Sequence, residues 1–119
     1  MNPLNYASLE ASKRLADAGI VLETDFYWYR ISKTAWRLIN KVQIGPGRAI
    51  PAPSMAEVWR EFPGELHNVG ALLADKTTGG DTYAGYVTSL EHEVKGYIDR
   101  NPADALIDLL IWVKKGGGQ

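Results

Sequence analysis

The chain of 119 residues contains no cysteine, which excludes disulfide bonds, thiolate metal sites and a cysteine nucleophile. It has no basic segment followed by an apolar run near its start, so we expect no signal peptide. No stretch approaches the roughly 18 apolar residues that a membrane span needs. The net charge of −1 provides no global field to attract nucleic acid or an anionic membrane. These absences predict a cytoplasmic protein that does not associate with membranes.

Motifs that mark a reaction are also missing. The sequence has no glycine-rich phosphate loop, no nucleophile elbow and no HxH or HExxH spacing. The two histidines, His67 and His92, do not belong to a convergent set of three or four metal ligands. Glu23 and Asp25 would share one face of a strand, but solvent exposure explains them better than a general acid–base pair. We therefore predict no catalytic, cofactor or metal site, and an enzyme of unrecognised type stays a distant alternative.

The most informative segment is residues 101–115. Asn101 can cap a helix with Pro102 in its first turn, and apolar residues then occupy nearly every side of that helix. A helix of this composition cannot lie on a surface with one face in water. The sequence therefore predicts that a sheet and at least one other element cover it.

The remaining segments predict an α+β fold. Asn5 can cap a first helix that ends near Ala18. Residues 20–31 and 35–43 suit one hairpin and residues 66–75 and 81–88 a second, while Ser54 and Glu57 form a capping box for a short helix. The predicted order is α-β-β-α-β-β-α, in a single domain of residues 1–119 with a flexible tail at 116–119. Hairpin strands are antiparallel, so we expect one sheet of four strands, or five if residues 89–100 form a strand instead of a loop.

The register of the first hairpin stays open at this point. Either Phe26 and Trp28 face the core or Tyr27 and Tyr29 do, because a change of one residue in the loop exchanges the two faces.

Three parts of the chain resemble a group of short proteins encoded by bacteriophages and prophages. They are residues 5–15 (Asn-Tyr-Ala-Ser-Leu-Glu-Ala-Ser-Lys-Arg-Leu) with 18–24 (Ala-Gly-Ile-Val-Leu-Glu-Thr), residues 50–61 (Ile-Pro-Ala-Pro-Ser-Met-Ala-Glu-Val-Trp-Arg-Glu), and residues 101–106 (Asn-Pro-Ala-Asp-Ala-Leu). The resemblance implies a phage-related origin and a bacterial cytoplasm. It carries no site residues and no activity.

The clearest candidate site is the first hairpin, where residues 26–42 contain four cations and no acid among several aromatic residues. Cations that hold phosphates beside aromatics that stack bases are typical of sheets that bind single-stranded nucleic acid. The same surface would suit an acidic protein, and ordinary packing with aromatics inward and cations outward explains the pattern as well. The predicted surface consists of Arg30, Lys33, Trp36, Arg37, Lys41 and Arg48.

A second candidate lies on the last helix, where Ile111 and Trp112 flank its polar stripe. An exposed tryptophan there would mark a contact with a partner or a second copy, whereas a buried one would fill the core.

Taken together, these features and the resemblance favour a small non-enzymatic, phage-related accessory protein that binds another protein. A homodimer of this protein is one form that the prediction takes. A nucleic-acid-binding module is the alternative.

Overall fold

A computed structural model describes residues 6–45, 47–62, 65–66, 70–77, 79–89 and 92–116, and it has an α+β fold. Within these residues there are three α-helices and two antiparallel sheets. The helices are α1 (Leu9–Asp17), α2 (Met55–Trp59) and α3 (Pro102–Lys114). The strands are β1 (Phe26–Arg30), β2 (Trp36–Asn40), β3 (Ala49–Pro51), β4 (Glu65–Leu66), β5 (Gly70–Lys76), β6 (Thr82–Ser89) and β7 (His92–Asp99).

Helix α3 lies at the centre of the core, as its composition predicts. The Asn101 side chain accepts hydrogen bonds from the backbone N–H groups of Ala103 and Asp104, which caps the helix. Leu106 and Leu110 are fully buried. The helix contacts β6 and β7 on one side and α1 and α2 on others. The prediction that α3 is covered by a sheet and by further elements is therefore confirmed.

The two hairpins do not join in one sheet, so the predicted single sheet of four or five strands is wrong. The first sheet has the order β2-β1-β3, and the second has the order β4-β5-β6-β7. The separation arises because β3, from the proline-rich segment after the first hairpin, pairs with the free edge of β1. As an edge strand, β3 tolerates the missing N–H of Pro51. Residues 89–100, left open between strand and loop, supply β7.

The structure settles the register of the first hairpin. Trp28 pairs with Leu38 on β2 and with Ile50 on β3, and its indole N–H donates to the carbonyl of Ala7 at 2.9 Å. Phe26 shares this face, because alternate residues of a strand point the same way. Its ring contacts the Tyr6 ring, with 4.5 Å between centroids. Phe26 and Trp28 therefore face α1 and the segment that leads into it.

Helix α1 begins later than predicted. Ser8 is its N-cap, with its hydroxyl oxygen accepting the backbone N–H of Ala11 at 3.1 Å, whereas the predicted cap, Asn5, lies outside the described residues. Gly19 follows the helix with a φ of 77°, a left-handed backbone conformation that glycine adopts readily after the end of a helix. One cluster of buried residues joins α1 to α2, α3 and β6.

The capping box before α2 is present as predicted. The Ser54 hydroxyl oxygen accepts the backbone N–H of Glu57, and the Glu57 carboxylate accepts the backbone N–H of Ser54. The predicted tail at residues 116–119 lies outside the described residues from residue 117 onward.

Candidate binding surface

Four of the six residues predicted for the hairpin surface lie together at one end of the first sheet. Arg30 and Trp36 are cross-strand partners, which places their side chains on the same face, toward α1. Arg48 joins them because the backbone N–H of Arg30 donates to the Arg48 carbonyl at 3.0 Å. Lys33, in the turn between β1 and β2, lines the same cavity as these three residues.

Helix α1 contributes a cation that the sequence does not reveal. The Lys13 Nζ lies 5.5 Å from the centre of the Trp36 ring, and the Arg48 guanidinium carbon lies 5.9 Å from it. Both distances are within the range of cation–π attraction. From the sequence, the i,i+4 pair of Lys13 with Asp17 indicates only a solvated helix face. The packing of α1 across the hairpin is what brings Lys13 to the site, and no local pattern signals it.

Together these side chains form a cleft of about 380 Å³, which we call the basic cleft. It is defined by Lys13, Arg30, Lys33, Trp36 and Arg48. Among the described residues of its lining, Asp17 is the one carboxylate, so four cations face one acid. In the described part of the chain, none of these four cations forms an ion pair within 4.0 Å.

Arg30 differs from the other cations of the basic cleft because its guanidinium is already engaged. Its Nε donates to the Ser32 carbonyl at 3.1 Å, and its Nη2 donates to the Lys33 carbonyl at 3.0 Å. These bonds fix the turn that carries Lys33. Arg30 therefore shapes the cleft, while the ammonium groups of Lys13 and Lys33 and the guanidinium of Arg48 stay available to an anionic partner.

Arg37 and Lys41, the other two predicted residues, lie elsewhere. Arg37 pairs with Tyr29 and shares its face of the sheet, opposite to the face of Trp36. Lys41 follows β2, and its Nζ lies 3.4 Å from Asp25 Oδ1. It lines a separate depression of about 310 Å³ with acidic neighbours that include Glu23 and Glu57. The predicted continuous surface of six residues is thus divided among three places.

The aromatic residues of the hairpin are divided in the same way. The Trp28 indole N–H is bonded to a backbone carbonyl, and Phe26 packs on Tyr6. Tyr27 and Tyr29 share the face that carries Arg37. Trp36 is therefore the aromatic residue of this hairpin that lines the basic cleft.

Ile111 and Trp112 are half-buried and pack against the core. The Trp112 ring lies 6.4 Å from the ring of Tyr86, whose pKa is raised to about 12 by burial. The outer sides of Ile111 and Trp112 line a second cavity, of about 460 Å³, together with Tyr97. Both alternatives for Trp112 are thus partly realised, since it adds to the core and also reaches the surface. Its role in an oligomer stays a prediction.

The second cavity is bounded on one side by an ion pair. Arg14 Nη2 lies 2.9 Å from Asp108 Oδ1, and Arg14 Nε donates to the same oxygen at 3.1 Å. Asp17 and Lys115 also line this cavity, so the charges of its described lining residues balance. The sequence assigns Arg14 to a pair with Glu10 within α1, whereas the structure uses Arg14 to bridge α1 and α3.

Among the described residues, no group of three or more histidine, aspartate or glutamate side chains could hold a metal ion. His67 lies outside those residues, and His92 begins β7. Within the same residues, no helix has the length and apolar composition to cross a membrane. Comparison of the chain with protein-family models, curated proteins and solved structures finds no significant match.

Proposed function

We propose that this protein is a non-enzymatic binding protein that engages an acidic surface of a partner protein through the basic cleft. The observation that carries the proposal is the convergence of Lys13, Lys33 and Arg48 on one cleft, without an ion pair in the described part of the chain. Like charges held close together repel each other, and carboxylates of a partner would relieve that repulsion. The bonds that hold Arg30 and the turn keep this arrangement in place before the partner arrives.

The state of Trp36 favours an acidic protein over single-stranded nucleic acid. Proteins that bind single strands offer successive aromatic faces on which bases stack. In the basic cleft the Trp36 ring already attracts Lys13 and Arg48, and the remaining aromatics of the hairpin lie on the other face or in packing contacts. A base would have to displace a cation from the ring. Carboxylates would bind the same cations without disturbing it.

The resemblance to phage and prophage proteins extends this proposal to its biological setting. A small phage protein of this kind would bind an acidic host protein in the bacterial cytoplasm. Origin and location are predictions that rest on the resemblance alone, and the basic cleft does not depend on them.

Binding of a hexaglutamate peptide, followed by fluorescence anisotropy at low salt, tests the proposal. We expect saturable binding that weakens as salt is added, because the contacts are charge pairs near the surface. The variant Arg48→Glu should lose about tenfold or more in affinity, since it replaces an attraction with a repulsion. Arg37→Glu is the matched control because it makes the same change of charge in the same sheet, on the opposite face. It should bind nearly as well as the wild type.

Two results would overturn the proposal. The first is the absence of hexaglutamate binding, or equal losses in Arg48→Glu and Arg37→Glu. The second is tighter binding of a dodecathymidine single strand than of hexaglutamate at the same salt concentration, with the loss confined to Arg48→Glu. That second result would assign the basic cleft to nucleic acid.

A further inference from the structure

The basic cleft and the second cavity are neighbours, separated by the end of α1. Asp17 lines both of them. On one side of the last turn of α1, Lys13 and Ala16 line the basic cleft. On the other side, Arg14 and Ala18 line the second cavity. A partner segment that leaves the basic cleft across the last turn of α1 therefore arrives at the second cavity.

The two cavities differ in their chemistry. In the part of its lining that the structure describes, the basic cleft has four cations against one acid. In the second cavity Arg14 and Lys115 are balanced by Asp17 and Asp108, and the Arg14–Asp108 pair is already formed at 2.9 Å. Its apolar lining comes from side chains that also pack on the core: Tyr97, Ile111 and Trp112. A neutral cavity with an aromatic and aliphatic lining suits an apolar side chain and offers nothing in particular to a carboxylate.

We propose, on the basis of the proposed function, that the partner is a linear acidic segment that also carries a large apolar residue, and that this residue occupies the second cavity. Charged contacts at the cleft select and orient the segment. The apolar residue supplies an anchor of the kind that dominates many interfaces, packed against Trp112. The cavity volume of about 460 Å³ accommodates a leucine side chain together with its backbone.

The distance to be crossed sets the spacing between the two parts of the segment. A helix with its side chains is about 10–12 Å wide. An extended chain covers about 3.3–3.6 Å per residue, so about three residues cross the end of α1. The cations of the basic cleft thus specify an acidic stretch. Because Asp17 lines both cavities, a spacer of about three residues follows, and an apolar anchor then lies in the second cavity.

Four peptides test this inference in the full-length protein. Two consist of hexaglutamate, three glycines and a leucine, in the two possible chain directions, and the other two carry serine in place of leucine. We expect one leucine peptide to bind about tenfold more tightly than its serine counterpart, as partial burial of a leucine side chain provides. The ratio of the two affinities is the quantity measured, so the charged contacts cancel.

Ala18→Trp locates the anchor. Ala18 is exposed after the end of α1, so a larger side chain there fills the second cavity without entering the core. We expect the leucine-to-serine ratio to fall to about one, with the affinity for hexaglutamate unchanged. Ala18→Leu, a smaller change, should lower the ratio in part. Ala56→Trp is the control, because Ala56 is exposed on α2 and lines neither cavity. This variant should keep the full ratio.

The outcomes distinguish this inference from the proposed function. Failure of hexaglutamate itself to bind overturns the proposed function. If hexaglutamate binds but the leucine-to-serine affinity ratio is about one in both chain directions, only the inference of an apolar anchor is overturned. A ratio that survives in Ala18→Trp shows that leucine binds elsewhere, and that result also overturns the inference.

Discussion

The backbone N–H of Ser8 donates a hydrogen bond to Asp104 Oδ1 at 2.8 Å, across 96 residues of sequence. Ser8 is the N-cap of α1, and Asp104 lies in the first turn of α3. The bond therefore joins the beginnings of two helices. Asp104 is buried, and this burial raises the pKa of its carboxyl group above the ordinary value of 3.8, although the bonds from Ser8 act in the opposite direction. By accepting this bond, the Asp104 side chain helps to hold α1 and α3 together.

The raised pKa of Asp104 predicts a pH-dependent contribution to stability. The folded protein holds this proton more tightly than the unfolded chain does. The contribution of Asp104 to the free energy of unfolding is therefore greatest in acid and declines as the pH rises from about 3.8 through the raised pKa. Asp104→Asn keeps an oxygen that accepts the Ser8 N–H but does not titrate. The wild type should thus lose stability relative to Asp104→Asn in urea unfolding as the pH rises above about 4.

Asp104→Ala separates the hydrogen bond from the charge. It leaves the partly buried N–H of Ser8 without its acceptor, which should cost about 1–3 kcal/mol of unfolding free energy. If the unfolding free energy of the wild type, minus that of Asp104→Asn, stays constant or increases as the pH rises, the assigned direction of the pKa shift is contradicted.

Thr24 and Glu57 link the segment before β1 to α2. The buried Thr24 hydroxyl donates to Glu57 Oε1 at 2.8 Å, and the same oxygen accepts the backbone N–H of Ser54 at 2.8 Å. Thr24→Val keeps the shape and removes the donor, at a cost of about 1 kcal/mol. Glu57→Ala also removes half of the capping box and should cost about 2 kcal/mol.

A double-mutant cycle tests this link. Because one bond is lost in both single variants, the double variant should be destabilised by less than the sum of the two. Strict additivity of the three unfolding free energies would show that the bond contributes nothing.

Gly85 lies where β6 and β7 come too close for a side chain. A Cβ atom at this position would be 2.6 Å from the backbone carbonyl oxygen of Lys95, which cannot move without disturbing β7. Gly85→Ala should therefore cost about 1–3 kcal/mol, as overpacking does. Gly79→Ala is the matched control, because among the described residues the nearest atom to its Cβ would be the Thr77 hydroxyl oxygen, at 3.9 Å. Equal unfolding midpoints for the two variants in guanidinium chloride would refute the close approach.

The elements that the sequence predicts well are those with local signals. The cap at Asn101, the capping box at Ser54 and the apolar composition of α3 act within a few residues, and each has its predicted structure. The division into two sheets has no such signal. It depends on β3 returning to the edge of β1 after a turn that brings Arg48 beside Arg30.

The candidate site shows the same limit. The hairpin sequence shows its cations and its two tryptophans, Trp28 and Trp36, but not which of them share a face, since that depends on the strand register. Arg37 and Lys41 are therefore assigned to the wrong neighbours from sequence, and Lys13 is not assigned to the site. Only the packing of α1 on the hairpin brings Lys13 to Trp36.

The segment of Tyr6 and Ser8 that leads into α1 is bound to the first turn of α3, through Asn101 and Asp104. Contacts between such distant residues slow the search for the native state, although a longer loop adds little to the entropy that must be lost. During synthesis the Tyr6 carbonyl and the Ser8 N–H lack these partners until Asn101 and Asp104 have emerged from the ribosome. The hairpins can form earlier, but the two hydrogen bonds that align α1 with α3 form only after α3 has been synthesised.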